Sequence, residues 1–302
     1  MNNVAVLIPC YNEASTIAMV VRSFRKYLPH AAIYVYDNCS EDNTAELARN
    51  AGAIVVTARI RGKGNVVRRM FADINADIYI MVDGDLTYTA ADAPSMINTL
   101  VKEKVDMVVA VRREKSGAAF PMGHKLGNRA FNFILKILFH STFQDVFSGY
   151  RAFSKRFVKT FPVTSSGFDI EAELSIHALT LAIPCSEIES MYLERPSNSS
   201  SKLSSFRDGF QILIRIIKLL KETRPLFFFG IIFLLLFLIS IIISYPVVVT
   251  FINTGLVPRF PTTILSSGLT ILSFLSLACG IIMDSISKAR REVKKLHYLH
   301  FS

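Results

Sequence analysis

Ile78-Tyr79-Ile80-Met81-Val82 runs directly into Asp83-Gly84-Asp85. An unbroken apolar run of this length reads as a strand covered on both faces. The two carboxylates that follow stand where open α/β sheets bind their ligands, beyond a strand's carboxyl end. Residues 4–8, 33–37, 53–57 and 107–111 have the same character, with helix-like segments between most of them. The alternation predicts an α/β domain built on a mainly parallel sheet.

Polar, turn-forming clusters follow these runs. The first strand leads into Pro9-Cys10-Tyr11-Asn12-Glu13, and the second ends at Asp37 before Asn38-Cys39-Ser40-Glu41-Asp42-Asn43-Thr44. The third is followed by Arg61-Gly62-Lys63-Gly64-Asn65. Successive strand ends of this kind are expected to meet in one crevice. Asp83-Gly84-Asp85 alone is also ordinary turn chemistry, but in this company it reads as a site for a hard divalent cation that neutralises a diphosphate.

Composition accounts for the rest of the chain. Of 302 residues, 51% are hydrophobic and 19% charged, which excludes a disordered chain and predicts that part of it sits in lipid. The net charge of +10 raises a nucleic-acid reading. From Ser205 onward, however, eleven Lys/Arg face four Asp/Glu, so +7 of that charge lies at the apolar end of the chain. Anionic lipid is the partner this distribution predicts, not nucleic acid. Cys10, Cys39, Cys185 and Cys279 form no CxxC pair, which argues against a zinc site or a disulfide framework and for a reducing compartment. The start, Met1-Asn2-Asn3, lacks the basic region and long apolar core of a signal peptide.

No charged residue lies between Arg224 and Arg259, or between Arg259 and Asp284. Residues 226–249 and 263–283 are each long enough to cross a bilayer, and the short connection predicts a hairpin. Arg215, Lys218, Lys221 and Arg224 precede it, and Lys288, Arg290, Arg291, Lys294 and Lys295 follow it, while the connection holds Arg259 alone. The positive-inside rule then predicts that both termini are cytoplasmic. Residues 126–140 and 206–222 carry narrow polar stripes on wide apolar helices, as expected of helices lying in the membrane interface.

In order, Ile8-Pro9-Cys10-Tyr11-Asn12-Glu13, Asp37 with Ser40 and Thr44, Gly62-Lys63-Gly64 and Asp83-Gly84-Asp85 resemble the successive motifs of family 2 glycosyltransferases with a GT-A (Rossmann-like) fold. Ser148-Gly149-Tyr150-Arg151-Ala152-Phe153, Gly167-Phe168-Asp169-Ile170-Glu171, Arg195-Pro196 and Ser201-Lys202-Leu203, followed by the hairpin, resemble the branch that acts on polyprenyl phosphates. That branch includes dolichyl-phosphate mannose synthases and bactoprenyl glucosyltransferases. The organisation implied is a catalytic nucleotide-sugar domain over 1–204, a juxtamembrane amphipathic helix over 205–224, two transmembrane helices over 225–284 and a basic cytoplasmic tail over 285–302.

By this resemblance Pro9, Tyr11, Glu13 and Asp37 surround the donor nucleoside, Lys63 approaches its diphosphate or base, and Asp83 contacts the sugar–nucleotide region. Asp85, with Asp83, holds Mg²⁺ or Mn²⁺. The synthases often carry Gln two residues after the second Asp, whereas this chain has Thr87. Arg112, Arg113, Arg129, Arg151 and Lys202 are implied to collect the lipid phosphate, because cations and above all guanidinium forks suit phosphate oxygens. Asp169 and Glu171 are the candidate acid–base residues. The function implied is inverting transfer of a hexose from a nucleotide sugar, UDP-linked before GDP-mannose, to polyprenyl phosphate at the inner membrane for cell-envelope glycans. A homo-oligomer formed through the hairpin is implied as well. The alternatives are transfer to a hydroxyl of a lipid-linked saccharide, which needs a general base, and a non-catalytic membrane scaffold.

Overall fold

The computed structural model describes residues 3–114, 136, 143–162, 170–193, 217 and 220–301. They form two compact units, Met1–Gly209 with Lys294–Ser302, and Phe210–Val293.

The first unit is an α/β layer structure. Strands β1 (Val4–Cys10), β2 (Ala32–Asp37), β3 (Ile54–Thr57), β4 (Ile78–Met81), β5 (Met107–Glu114), β6 (Arg151–Ser154) and β7 (Cys185–Tyr192) make one sheet in the order β3-β2-β1-β4-β6-β5-β7. Only β6 runs antiparallel to its neighbours, β4 and β5; the other pairings are parallel. The helices are α1 (Ile17–Tyr27), α2 (Thr44–Asn50), α3 (Lys63–Asp73), α4 (Ala93–Lys102), α5 (Lys155–Thr160) and α6 (Ile170–Leu181). The mainly parallel α/β sheet expected from the apolar runs is therefore present.

Side chains alternate between two cores, as the period of a strand requires. Leu7, Tyr79, Met81, Val109 and Phe153 face Val67, Met70 and Phe71 of α3, Phe157 of α5 and Leu174 of α6. Val6, Ile8, Ile80, Val108 and Ala152 face Val20, Val21 and Phe24 of α1 and Met96 of α4. All four residues of β4 are buried, so burial of each contributes about 2 kcal/mol. That two-sided cover is why the strand preceding Asp83 has no polar position.

Neither β6 nor β7 is marked by an apolar run in the sequence. The first has only four residues and opens on an arginine, and the second, Cys-Ser-Glu-Ile-Glu-Ser-Met-Tyr, is the polar edge of the sheet.

In the second unit, α7 (Pro225–Thr254) and the second long helix, α8 (Phe260–His300), carry apolar windows long enough to cross a bilayer. Most of their large apolar side chains are exposed, including Leu234, Ile242, Ile252, Ile271 and Ile282, so they are not core helices of a soluble domain. Small and hydroxyl residues join the pair: Ser240 Oγ donates to Ser266 O at 2.7 Å, Ser276 Oγ donates to Phe229 O at 3.1 Å, and a Cβ on Gly280 would meet Phe229 Cβ at 3.0 Å. Of the two expected interfacial helices, only Lys136, Ile217 and residues 220–222 fall within the described residues.

Residues 285–302, expected as a tail, are helical to His300, and the last stretch, Lys294–Ser302, groups with the first unit. There Tyr298 is buried, its hydroxyl donates to the Asp106 carboxylate, and the Arg156 guanidinium lies 4.4 Å from its ring centroid. Asp106 also accepts from Ser154 Oγ at 2.5 Å and from Arg156 Nε at 3.2 Å. Burial and then the Asp106 hydrogen bond push the Tyr298 phenol above its usual range, which keeps it the donor. Tyr298→Ala is expected to cost about 3 kcal/mol, the loss of a buried ring. Tyr298→Phe should cost about 1 kcal/mol, the loss of one hydrogen bond. Denaturant midpoints of the detergent-solubilised protein check both, and an unchanged midpoint for the alanine variant would show that the docked ring contributes nothing.

Candidate active site

The carboxyl ends of β1, β2, β3 and β4 are tied together by backbone and side-chain hydrogen bonds. Asn38 is the hub: its N–H donates to Cys10 O at 2.8 Å, and its amide donates to Ala58 O at 2.9 Å and Ile60 O at 2.8 Å. Its Oδ1 accepts from Gly62 N–H at 2.7 Å, which fixes the turn before Lys63. Asn12 N–H donates to Ser40 Oγ at 2.9 Å, Glu13 N–H to Thr44 Oγ1 at 2.8 Å, and Glu41 N–H to Asn12 Oδ1 at 2.8 Å. Ser40 and Thr44 thus brace the loop after β1. On the other side, Thr16 Oγ1 donates to Gly84 O at 2.7 Å, tying the end of β4 to the start of α1.

Three non-glycine residues at these strand ends hold left-handed backbone: Asn12 (φ 54°), Cys39 (φ 59°) and Leu86 (φ 62°). Asparagine tolerates this region; a leucine there costs about 1–3 kcal/mol, a strain typical of functional turns. Leu86 follows Asp85 directly, so the strained turn aims that carboxylate.

The predicted carboxylates converge. Cys10 lies buried beneath them, and its thiol is pushed well above its usual range, first by burial and then by Glu13, Asp37, Asp83 and Asp85. That rules it out as a thiolate nucleophile, and all four acids act on it electrostatically. Asp37 is buried; its Oδ2 accepts from Ser40 N–H at 3.3 Å, and its Oδ1 has no hydrogen-bond partner among the described residues. A buried carboxylate oxygen left in this way is an acceptor awaiting a ligand donor. The guanidinium of Arg61 lies 5.4 Å from the Tyr11 ring centroid at the exposed rim.

Asp83 is gripped from two sides. Lys63 Nζ lies 2.5 Å from its Oδ1, and a Cβ on Gly149 would stand 2.4 Å from its Oδ2. Any side chain at 149 would have to displace that oxygen. Lys63 also donates to Glu171 of α6. Burial alone would lower the lysine's pKa, but the charges of Asp83 and Glu171 outweigh it and raise it, so the ammonium is permanent. Lys63, expected beside a diphosphate, is here the bridge between two carboxylates. Asp85 is buried, and its Oδ1 accepts from Thr87 Oγ1 at 2.6 Å and Thr87 N–H at 3.2 Å. Thr87 therefore orients the second acid of the motif.

Among the described residues, the expected phosphate-binding cations Arg112, Arg113 and Arg151 each bond to protein partners. Arg151 is fully buried: its Nε donates to Ser148 O at 2.9 Å, Nη1 to Ser175 Oγ at 2.9 Å and Nη2 to Val146 O at 2.6 Å. It is a core strut, because a guanidinium with no exposed surface reaches no lipid phosphate. Arg112 forms a two-pronged pair with Asp145, at 2.6 and 2.8 Å, and Arg113 pairs with Glu189 at 2.7 Å on the exposed edge. Arg129, Lys202 and Asp169 lie outside the described residues.

Two tyrosines were not anticipated. Tyr88 Oη accepts from Gly149 N–H at 3.0 Å, holding the glycine that faces Asp83. The Tyr192 ring lies 5.5 Å from the Arg112 guanidinium, and its phenol is raised by burial and then by Asp85. Neither has a local sequence signal, since each acts through a partner distant in the chain.

The site's donor set suits a substrate-borne divalent cation. Among the described residues no group of three or more His, Cys, Asp or Glu forms a closed cage. Mg²⁺ and Mn²⁺ in phosphate sites instead take one or two carboxylates and complete their shell with substrate oxygens and water. Asp83 and Asp85, just after β4, are two carboxylates of that kind.

Comparison with known proteins identifies the family and the fold. The family model described as "Glycosyl transferase family 2" matches residues 5–161. Glycosyltransferase AglJ of Haloferax volcanii is 37% identical over 229 residues, covering 75% of each chain. A dolichyl-phosphate hexose transferase of the same organism is 27% identical over 223 residues, 74% of this chain and 96% of that one. Among solved structures, glucosyl-3-phosphoglycerate synthase from Mycobacterium tuberculosis, in complex with Mn²⁺, UDP-glucose and phosphoglyceric acid, superposes with a TM-score of 0.60. It covers 72% of this chain and 79% of its own at 20% identity, which shows a shared GT-A fold.

Proposed function

Since the chain belongs to glycosyltransferase family 2 and is a hexosyltransferase using a nucleotide sugar, we propose that it transfers the hexose, with inversion, to a polyprenyl phosphate at the cytoplasmic face of the cell membrane. The observation that carries the reading is that Asp37, Lys63, Asp83 and Asp85 all stand at or after the carboxyl ends of strands in the parallel part of the sheet, with Lys63 paired to Asp83, in a chain that also has two bilayer-length helices. The relative named dolichyl-phosphate hexose transferase supports the acceptor class, and the uridine nucleotide bound by the synthase of the same fold supports a UDP-linked donor over GDP-mannose. The basic flanks of both spans support cytoplasmic termini.

In this reading an acceptor phosphate oxygen forms a bond to the anomeric carbon as the bond from that carbon to the diphosphate oxygen breaks, and the electron pair leaves with the nucleoside diphosphate. The acceptor is already anionic, so no strong general base is required. The open Oδ1 of Asp37 accepts from the nucleoside, Asp83 holds the sugar–diphosphate junction, and Lys63 contributes positive charge to the leaving group. A divalent ion held by Asp85 and Asp83 would supply further charge neutralisation at the diphosphate. The two bilayer-length helices anchor the chain in the membrane that holds its acceptor. A polyprenyl tail cannot leave the bilayer, because each exposed CH₂ costs about 0.8 kcal/mol.

The test offers the purified protein a panel of UDP- and GDP-sugars with undecaprenyl phosphate and Mg²⁺ or Mn²⁺. An acid-labile glycosylated lipid phosphate is expected. Transfer only to a hydroxyl-bearing lipid saccharide would overturn the acceptor assignment.

A further inference from the structure

Lys63, Asp83 and Glu171 are joined across 108 residues of sequence, and the lysine and Glu171 side chains are only 11% and 7% exposed. Asp83, at 28%, is the member open toward solvent. An ammonium has three N–H donors; Asp83 Oδ1 and Glu171 Oε1 accept two of them. Asp83 Oδ2 lies in the space beside Gly149 that a Cβ would fill. Were Asp83 the lysine's sole carboxylate, the pair would close on itself, cancelling the charge of both groups at the point where sugar and diphosphate meet. Glu171 stands at the start of α6 as a second acceptor for the same ammonium.

We propose that Glu171 is a positioning residue. It shares the Lys63 ammonium with Asp83, so that the third N–H is left for the donor's diphosphate and Asp83 keeps negative charge for the sugar. This rests on the glycosyl-transfer reading and deepens it. It also replaces the acid–base role expected for Glu171, whose Oε1 is enclosed and committed to Lys63.

The test is a double-mutant cycle on the full-length protein in detergent, reading the Kd of UDP and GDP in the presence of Mn²⁺ by calorimetry, with donor KM and kcat alongside. Glu171→Ala and Lys63→Ala should each weaken nucleotide binding and raise donor KM about tenfold, the worth of one charge-assisted hydrogen bond. Glu171→Gln, which keeps an oxygen acceptor for Nζ, should lie between wild type and Glu171→Ala. The double variant Lys63→Ala/Glu171→Ala should be no worse than Lys63→Ala, because Glu171 acts only through the lysine. Multiplying losses in the double variant would overturn the proposal. So would a Glu171→Gln loss confined to kcat with nucleotide affinity intact, which is the signature of a base, or a fall in melting temperature with no coupling in Kd. Failure of the wild type to glycosylate polyprenyl phosphate would remove the acceptor reading alone, since the coupling is read from nucleotide binding.

Discussion

Asp85→Ala is expected to reduce kcat about a thousandfold while the protein folds normally, the scale seen when a preorganised charge stabiliser is removed from a transfer site. The carboxylate is buried, fixed by both donors of Thr87 and placed by the left-handed turn at Leu86. None of these contacts spans the core, so removing them leaves the sheet intact. Asp85→Asn is the sharper variant, because its Oδ1 can still accept from Thr87 and only the charge is lost. Glu13, Asp37, Asp83 and Asp85 all raise the pKa of the same buried thiol, so this is a cluster of negative charge. Neutralising one member relieves repulsion, and Asp85→Asn should melt at or above the wild-type temperature. Activity lost together with a gain in stability would mark a group kept for function. Near-normal turnover of either variant in the nucleotide-sugar assay would remove Asp85 from the site.

What the sequence made legible follows from how local each signal is. A strand buried on both faces must be apolar throughout, so Val4–Cys10, Ala32–Asp37 and Ile78–Met81 announce themselves, and the polar residues after them mark the rim of the sheet. The two bilayer-length helices are equally local, since they are defined by the absence of charge over a long window. Pairings made by the fold are not local. Lys63 meets Glu171 across 108 residues, Arg112 meets Asp145 across 33, and Tyr298 meets Asp106 across 192. Composition gives no hint of any of them. The arginines show the consequence: a phosphate-binding guanidinium and one buried among carbonyls are the same residue in the sequence, and only the partners distinguish them.

Arg151 separates those two cases by experiment. If it were a phosphate ligand, Arg151→Lys would keep the fold and raise the acceptor KM. Inside the core, its three nitrogens donate to Ser148 O, Ser175 Oγ and Val146 O, joining the loop before β6 to α6. Burial lowers its pKa, and the Glu171 and Asp145 carboxylates oppose that shift. Removing it leaves two carbonyls without those donors and two carboxylates without that compensating charge. Arg151→Met is therefore expected to cost about 3–5 kcal/mol, the penalty for breaking a buried charged network from one side. Arg151→Lys should recover only part of this, because a single ammonium cannot span three acceptors held in the geometry of a planar fork. Denaturant midpoints should fall in the order wild type, lysine, methionine, and the polyprenyl-phosphate KM of the surviving lysine enzyme should stay close to wild type. A stable Arg151→Lys protein with a sharply raised acceptor KM would return Arg151 to the phosphate site.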